Sequence, residues 1–326
     1  MIIILICILI EIRSGQFLSI NNIVDIIRSA VVPSILGIGV LMVILIGGID
    51  LSFISIAALS MYSVNFVITQ TGYSGSVLLP YAIAALIGVG CDALNAFVIS
   101  RFNLPTMIVT LGTSSIFTSI LRGVLNAKDL VAAPVLKNFG RITIFVAENN
   151  KSGLKSNLPI TIFIPVGLFA LTYFILRYTL LGRGIYAIGG DKNAARRAGF
   201  NTSRIQYFVY CYVGLLAGIT GVTRTCMSEA AHYSSLLGTE LVIIAAIVLG
   251  GACITGGMGT LTGTVFGTLL MTIVSNSLVL IGIPTYWQTF FTGALIIAGT
   301  GISVYRASKS HRRRLAKQTA AMPEGK

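Results

Sequence analysis

Long apolar runs, separated by short polar segments, fill most of the sequence and leave few folds open to it. Most of them approach or exceed the roughly 20 residues that a helix needs to cross a bilayer. Charged residues make up only 10% of the chain, against about a quarter in a soluble domain. The runs cover residues 1–10, 31–49, 53–69, 78–100, 105–121, 158–181, 205–227, 241–256, 258–283 and 286–305.

These runs predict the fold class. We expect an all-α polytopic integral membrane protein with about ten transmembrane helices, built by residues 1–326 as a single domain. Residues 1–10 are too short to cross alone, and we expect them to end a first span whose beginning precedes the chain. The net charge of +13 could suggest nucleic acid, but the basic residues lie in loops beside apolar runs. Orientation in the membrane and contact with anionic lipid explain them better, and no nucleic-acid partner is predicted.

The second and third runs meet at a sequence that should interrupt a helix. Residues 47–52 read GGIDLS, and the two glycines, Gly47 and Gly48, weaken a helix. The side chains of Asp50 and Ser52 offer oxygens to the backbone amides that an interruption frees. We therefore predict a broken helix here, with Asp50 as its cap.

A polar, basic segment at residues 182–204, which we call the island, separates two long runs. It contains five basic residues and one acidic residue, Asp191. Positively charged loops tend to stay in the cytoplasm, so the island is predicted to face that side. Asp191 suits the N-cap of a short helix over residues 192–198, and Gly199 suits the left-handed position that follows such a helix.

The island also sets the expected orientation of its neighbours. Ser203 and Gln206 have capping-box spacing, which places the start of the next span near Arg204. Counting spans outward from the island puts residues 122–157 outside, although they carry six basic residues against two acidic ones. The same count puts the tail, residues 306–326, in the cytoplasm. The tail is itself basic, which agrees with that side.

Sequence signatures of covalent and metal chemistry are missing. The five cysteines form no CxxC pair, the two histidines are far apart, and neither HExxH nor GxxxxGK[ST] occurs. We therefore predict no catalytic residue, no metal site and no cofactor bound by this chain. If ATP drives the protein, another chain must bind it.

Several motifs, in their order along the chain, resemble one family. They are GGIDLS at 47–52, LPTMIVTLGT at 104–113 followed by Arg122 and Gly123, the island, and LGGACITGGMGTLTGTVFG at 249–267. The island pattern consists of Gly182, Gly184, Tyr186, Ala187, Gly189, Gly190, Ala194, Ala195 and Gly199. Together these motifs resemble the permease subunits of bacterial ribose-type and other simple-sugar ABC importers.

The resemblance implies a function and a set of partners. The chain would be the permease subunit of an ABC importer that moves a monosaccharide, such as ribose, galactose or xylose, across the bacterial inner membrane. A second permease copy or a paralogue would pair with it, a cytoplasmic ATPase would use ATP and grip the island, and a periplasmic sugar-binding protein would dock outside. The expected ATPase-coupling residues are Gly182, Arg183, Gly184, Tyr186, Gly189, Gly190, Asp191, Ala194, Ala195 and Gly199.

Polar side chains within the runs are candidates for the solute path. A sugar path needs hydroxyl and amide groups that replace water around a polyol, and we select Asn95, Thr110 and Asn276. Asp50, Asp92, Arg177 and Arg224 are ionisable residues inside apolar runs, and each would cost about 2.5–3.5 kcal/mol near the bilayer centre. The two arginines lie near span ends and are expected to reach the interface.

Two other functions stay open from the sequence. A self-sufficient secondary transporter, driven by protons or sodium, would use Asp50 or Asp92 as its coupling site. An intramembrane enzyme has the least support, because no nucleophile–base or metal-ligand spacing appears.

Overall fold

The computed structural model describes residues 11, 15, 17–148 and 155–280, with isolated positions between 282 and 301. The α-helices of this part are α1 (Ile20–Leu45), α2 (Phe53–Gln70), α3 (Leu78–Phe102), α4 (Thr106–Ser119), α5 (Pro134–Gly140), α6 (Phe163–Tyr178), α7 (Leu180–Gly190), α8 (Lys192–Arg197), α9 (Thr202–Ser228), α10 (Glu240–Leu249) and α11 (Leu261–Leu280). Two short antiparallel ladders pair β1 (Leu130–Val131) with β4 (Ala230–Ala231), and β2 (Thr143–Glu148) with β3 (Lys155–Pro159).

Seven helical segments in the described part of the chain are long and apolar enough to cross a membrane. They are α1, α2, α3, α4 with the π turn that follows it, α6 with the turn before it, α9 and α11. The predicted all-α polytopic class is therefore confirmed. The total of about ten spans stays a prediction, because residues 1–10, most of 286–305 and the tail 306–326 lie outside the described residues.

The run at residues 241–256 does not form a complete helical span. α10 stops at Leu249 after ten residues, and Gly251 then adopts a left-handed φ of +96°. A helix of that length is too short to cross a bilayer. Residues 250–260 form a loop, so the predicted span is wrong in its second half.

The bundle is assembled around α9, which packs against α1, α2 and α3. Small residues let these backbones approach. A Cβ added to Gly88 of α3 would overlap the Gly214 carbonyl of α9, and one added to Gly218 would overlap the Ala84 carbonyl. This is the close small-residue packing that stabilises helix pairs in membranes.

The two ends of α9 define two ends of the bundle, about 40 Å apart for a helix of this length. The island end holds the island, residues 46–52 and the loop 250–260, where Gly257 N donates to the Leu45 carbonyl at 2.9 Å. The opposite end, which we call the far end, contains the β1–β4 ladder and the Arg141–Glu229 ion pair, in which Nε and Oε1 lie 2.7 Å apart. The described part of residues 122–157 therefore lies across the bundle from the island, as the alternating count predicts.

Candidate functional site

The first half of the island is a helix rather than an irregular loop. α6 ends at Tyr178, and the Thr179 side chain caps α7 by accepting from the Gly182 amide at 3.2 Å. A Cβ on Gly182 would overlap carbonyl oxygens in the last turn of α6, and one on Gly184 would collide with Ile205 of α9. The sequence does not reveal α7, because its apolar residues continue the preceding run. The island therefore contains the helix that the sequence predicts, α8, and a further helix before it, α7.

The second island helix, α8, has the cap that the sequence predicts. Asp191 Oδ1 accepts from the amides of Asn193 and Ala194 at 2.7 and 2.9 Å. Hydrogen bonds from these amides hold the pKa of the Asp191 carboxyl below its usual range. Gly199 has a φ of +89°, the left-handed conformation expected just after this helix. Ala195 is buried and Ala194 is exposed, so α8 packs one side against the bundle and leaves the other side accessible.

The predicted start of the following helix is wrong by two residues. Asn201 is the cap of α9, and its side chain accepts from the Arg204 amide at 3.0 Å. Ser203 and Gln206 do not form the capping box, because both already lie inside the helix. Ser203 Oγ instead lies 2.6 Å from Ser100 Oγ, which joins the end of the island to α3.

The island is fastened to the bundle where three backbone segments meet. Gly189 of α7 lies against the Leu45 carbonyl at the end of α1 and against Gly257 in the loop after α10, so an added Cβ would overlap both. Tyr186 OH donates to the Gly259 carbonyl of the same loop at 3.0 Å. A movement of α7 must therefore move the end of α1 and the loop with it.

The free surface of the island is basic. Arg183 and Gly190 of α7 are exposed, as are Lys192, Arg196 and Arg197 of α8. Within the residues described, no carboxylate lies within 4.0 Å of these four cations. A surface of this sign favours an acidic partner.

The helix break lies beside this junction and is a hydrogen-bonded turn. Gly47 has a φ of +79°, and α2 starts at Phe53. Asp50 Oδ1 accepts from both Ser52 N and Ser52 Oγ, at 2.7 and 2.6 Å, in the turn before α2. The N-cap of α2 is Ser52, not Asp50 as predicted. Gly48 packs against Tyr210 of α9, whose hydroxyl an added Cβ would approach to 3.1 Å. The broken helix predicted at residues 47–52 is present.

Two threonines of α4 hold the break in place. The Ile49 amide donates to Thr106 Oγ1 at 3.0 Å, and the Leu51 amide donates to Thr110 Oγ1 at 3.1 Å. Thr110 Oγ1 also donates to the Ile49 carbonyl at 3.3 Å. Thr110, predicted to line a solute path, is fully buried in this contact.

A buried polar cluster joins the break to α3. Asn95 Nδ2 donates to Ser52 Oγ and to Asp92 Oδ1, both at 2.8 Å. Asn95, Asp92, Asp50 and Ser52 are all fully buried. Asn95, the second residue predicted for the path, thus connects α3 with the break.

Cavities open at both ends of the bundle. The far-end cavity has a volume of about 350 Å³ and lies between α1, α9, α10 and α11; it is lined by Asn276, the third path residue, and by Arg28 and Arg224. At the island end, a cleft of about 520 Å³ separates the break from α8, with Thr106 and Lys192 in its walls. Two of the three predicted path residues, Asn95 and Thr110, therefore lie at the break. The third, Asn276, lies apart from them in the far-end cavity.

A family profile described as "Branched-chain amino acid transport system / permease component" matches residues 22–299. That stretch includes the break, the island and the residues around both cavities. The chain belongs to this family.

The permease has relatives along nearly its full length. It is 30% identical over 290 residues to the ribose import permease protein RbsC of Escherichia coli (strain K12), covering 87% of this chain and 86% of the relative. It is 29% identical over 287 residues to the D-allose transport system permease protein AlsC of the same strain (88% and 84%). The L-arabinose ABC transporter permease protein AraH of Azospirillum brasilense is 30% identical over 298 residues (90% and 83%). No solved structure matches the permease.

Of the two arginines predicted to reach the interface, one does so and the other does not. Arg177 is exposed at the end of α6 nearest the island, where the sequence predicts it to reach the interface. Arg224 lies one turn before the end of α9 but is half-buried in the cavity wall, facing Arg28 of α1. Arg28 is the last charged residue of α1 before a long apolar stretch, and that position is the signal that identifies it. Its pairing with Arg224 needs the packing of α1 against α9.

Proposed function

We propose that this permease imports a monosaccharide of the ribose, galactose or xylose kind across the bacterial inner membrane, driven by ATP hydrolysis on a separate chain. The observation that carries the proposal is the docking of the island onto the break and onto the loop after α10. The names of the relatives, which refer to ribose, D-allose and L-arabinose, support a sugar as the solute. This chain itself binds no ATP in the scheme.

The island is the proposed contact for a cytoplasmic ABC ATPase. Its outer side is the exposed, basic side of α8, and its inner side is held by Gly189 and Tyr186. This arrangement has one side for a partner and another for the bundle, as a coupling element requires. The proposed coupling residues are Gly182, Arg183, Gly184, Tyr186, Gly189, Gly190, Asp191, Ala194, Ala195 and Gly199.

Movement of the island would open and close the path through the backbone contacts described above. A displacement of α7 carries the end of α1 and the loop after α10, because Gly189 packs between them. The break then moves with α1. Thr110 and Asn95 pass that movement to α4 and α3 through their hydrogen bonds with the break. Asn276 is proposed to line the path itself, at the far end.

The remaining partners follow from this orientation. With the island in the cytoplasm, the far end faces the periplasm and a sugar-binding protein docks there, while the tail 306–326 is cytoplasmic. α3, α4 and α6 expose large apolar side chains, including Leu86, Phe97, Ile108 and Phe174. These faces suit membrane lipid and a second permease copy or paralogue.

Reconstitution tests the proposal directly. The permease, its ATPase and a sugar-binding protein are placed in proteoliposomes, and uptake of labelled ribose, galactose and xylose is measured with and without ATP. We expect uptake that needs both ATP and the ATPase. Replacing Arg196 and Arg197 by glutamate should prevent co-purification of the ATPase, because it reverses the sign of the exposed surface of α8. Lys128→Glu also reverses a positive charge, but at the far end, where Lys128 is exposed, and should leave co-purification intact.

The alternative is a secondary transporter. Solute accumulation by the permease alone, driven by a proton or sodium gradient and abolished by Asp92→Asn, would contradict the ATP-driven proposal.

A further inference from the structure

The far-end cavity is lined by two arginines and by no acidic residue. Arg28 projects from α1 and Arg224 from α9. Arg28 Nη2 donates to the Met227 carbonyl at 3.2 Å, whereas Arg224 Nε is buried without a hydrogen-bond partner among the described residues. None of the lining residues is an aspartate or a glutamate. The cavity therefore carries two positive charges without a counter-charge in its walls.

The carboxylates described at the far end are engaged elsewhere. Each accepts a hydrogen bond or forms an ion pair outside the cavity. They are Glu11 with the Leu18 amide, Asp25 with Ser156, Asp129 with His232, Glu148 with Lys155, Glu229 with Lys137 and Arg141, and Glu240 with the Gly238 amide. None of these carboxylates lies within 4.0 Å of a charged nitrogen of either cavity arginine.

The energetics favour an anion from outside the chain. Arg224 is half-buried and its Nε lies in the interior without a hydrogen-bond partner among the described residues, which costs free energy, and two like charges across one cavity repel each other. Guanidinium groups bind carboxylate or phosphate through paired, charge-assisted hydrogen bonds, so an anionic group in the cavity would offset both penalties.

The opposite wall is suited to hydroxyl groups. Thr268, Thr272, Ser275 and Asn276 of α11 all line the cavity, and their spacing places them on one helix face. Thr272 Oγ1 donates to the Thr268 carbonyl at 2.8 Å, which leaves its lone pairs free to accept. A wall of hydroxyls and an amide provides both donors and acceptors for a polyhydroxylated solute.

We propose that the far-end cavity binds an acidic sugar, an aldonate or a uronate, with its carboxylate between Arg28 and Arg224 and its hydroxyl groups toward α11. The proposal rests on the ATP-driven import of a sugar proposed above, but it gives the solute a carboxylate that ribose, galactose and xylose lack. The cavity of about 350 Å³ falls within the roughly 300–1,000 Å³ range of small-molecule sites. Arg224 is the main anchor, because it is half-buried in the cavity wall and forms no ion pair among the described residues. A neutral sugar meets the same walls but leaves both arginines unpaired.

Binding to the purified permease tests this site. The permease is held in phosphatidylcholine nanodiscs and titrated, by calorimetry, with pentose- and hexose-derived aldonates and uronates, each paired with its neutral aldose. We expect at least one acid to bind about tenfold or more tightly than its neutral counterpart, the difference expected from hydrogen bonds to a charged group. Arg224→Gln should remove that preference and Arg28→Gln should weaken it. Arg224→Lys, which keeps the charge, should retain part of it.

The controls separate folding, lipid and import. Arg101→Gln changes an exposed arginine at the island end and should leave the acid preference unchanged, and the melting temperature shows that each variant is folded. Equal affinity for acid and neutral members throughout the panel, or an acid preference that survives Arg224→Gln, would overturn the site.

Two further results distinguish the alternatives. One result is that phosphatidylglycerol stabilises the wild type but not Arg224→Gln, while no acid binds in phosphatidylcholine. That result would identify a lipid headgroup as the occupant and overturn the acidic-sugar site. ATP-dependent uptake of a neutral sugar, with no acid preference in binding, would refute the acidic-sugar site and leave the import function standing.

Discussion

Replacing Gly189 by alanine probes the junction between the island and the bundle. The new methyl carbon would overlap the Leu45 carbonyl oxygen and would lie 2.9 Å from Gly257 Cα. Both neighbours are backbone, so relief needs a shift of α7, and we take the upper end of the about 1–3 kcal/mol that overpacking costs. Alanine in place of glycine regains about 1 kcal/mol of helix propensity. The net loss is about 2 kcal/mol, which lowers an unfolding midpoint by roughly 4–8 °C at about 2–4 °C per kcal/mol.

Gly190 supplies the matched control. It is the next residue of the same helix, and a Cβ there meets no heavy atom within 4 Å. Gly190→Ala should therefore leave the midpoint unchanged or slightly raised. Midpoints are measured by a thermal shift of the purified permease, and coupling is measured as the stimulation of ATPase activity by the permease in proteoliposomes. We expect Gly189→Ala to lower both quantities, and Gly190→Ala to leave the midpoint unlowered because its added methyl meets no neighbour. If the two variants gave the same midpoint and the same stimulation, the junction would not transmit movement as described.

Three further changes address the packing, the break and the island cap. Gly88→Ala should lower the thermal midpoint, because overpacking against α9 costs about 1–3 kcal/mol of unfolding free energy. Gly90→Ala, which has open space around the added Cβ, should leave the midpoint unchanged. Equal midpoints would rule out the close α3–α9 contact. Thr110→Val should cost about 1–3 kcal/mol because it leaves a buried amide of the break unpaired, and an unchanged denaturation midpoint would contradict that bond. Because Asp191 has a lowered pKa, its stabilisation of α8 is complete above about pH 4 and is lost as the pH falls through the lowered value. Hydrogen exchange of the backbone amides of residues 192–198 at pH 7 should be faster in Asp191→Ala than in the wild type, but not in Asp191→Asn. Equal exchange in both variants would count against the cap.

Local chemistry made much of the fold predictable. The break at residues 47–52 and the helix capped by Asp191 depend on glycine, a short acidic side chain and their immediate neighbours. Such preferences act over a few residues, so they can be read from the sequence. The apolar runs likewise gave the membrane class, because the bilayer fixes the length of a span.

Contacts between distant segments could not be predicted in the same way. Thr110 holds a break 59 residues before it in the chain, and Gly189 touches α1 and the loop after α10. α10 ends early although its run stays apolar: Gly251 adopts a left-handed φ of +96°, and the adjacent Gly250 packs against the Gly263 carbonyl of α11. These features depend on which helices become neighbours, and one sequence contains no direct signal for that.

The side of the membrane on which the island lies is the measurement that tests the account most directly. Ala194 of α8 and Ser74, in the turn between α2 and α3 at the far end, are both exposed, and each is changed to cysteine in a chain whose five cysteines are replaced by alanine. A membrane-impermeant maleimide should label position 74 in intact spheroplasts and position 194 only in inside-out vesicles, where added ATPase should protect it. Labelling of position 194 from the outside, or labelling that the ATPase does not slow, would contradict the assignment of the island as the ATPase contact.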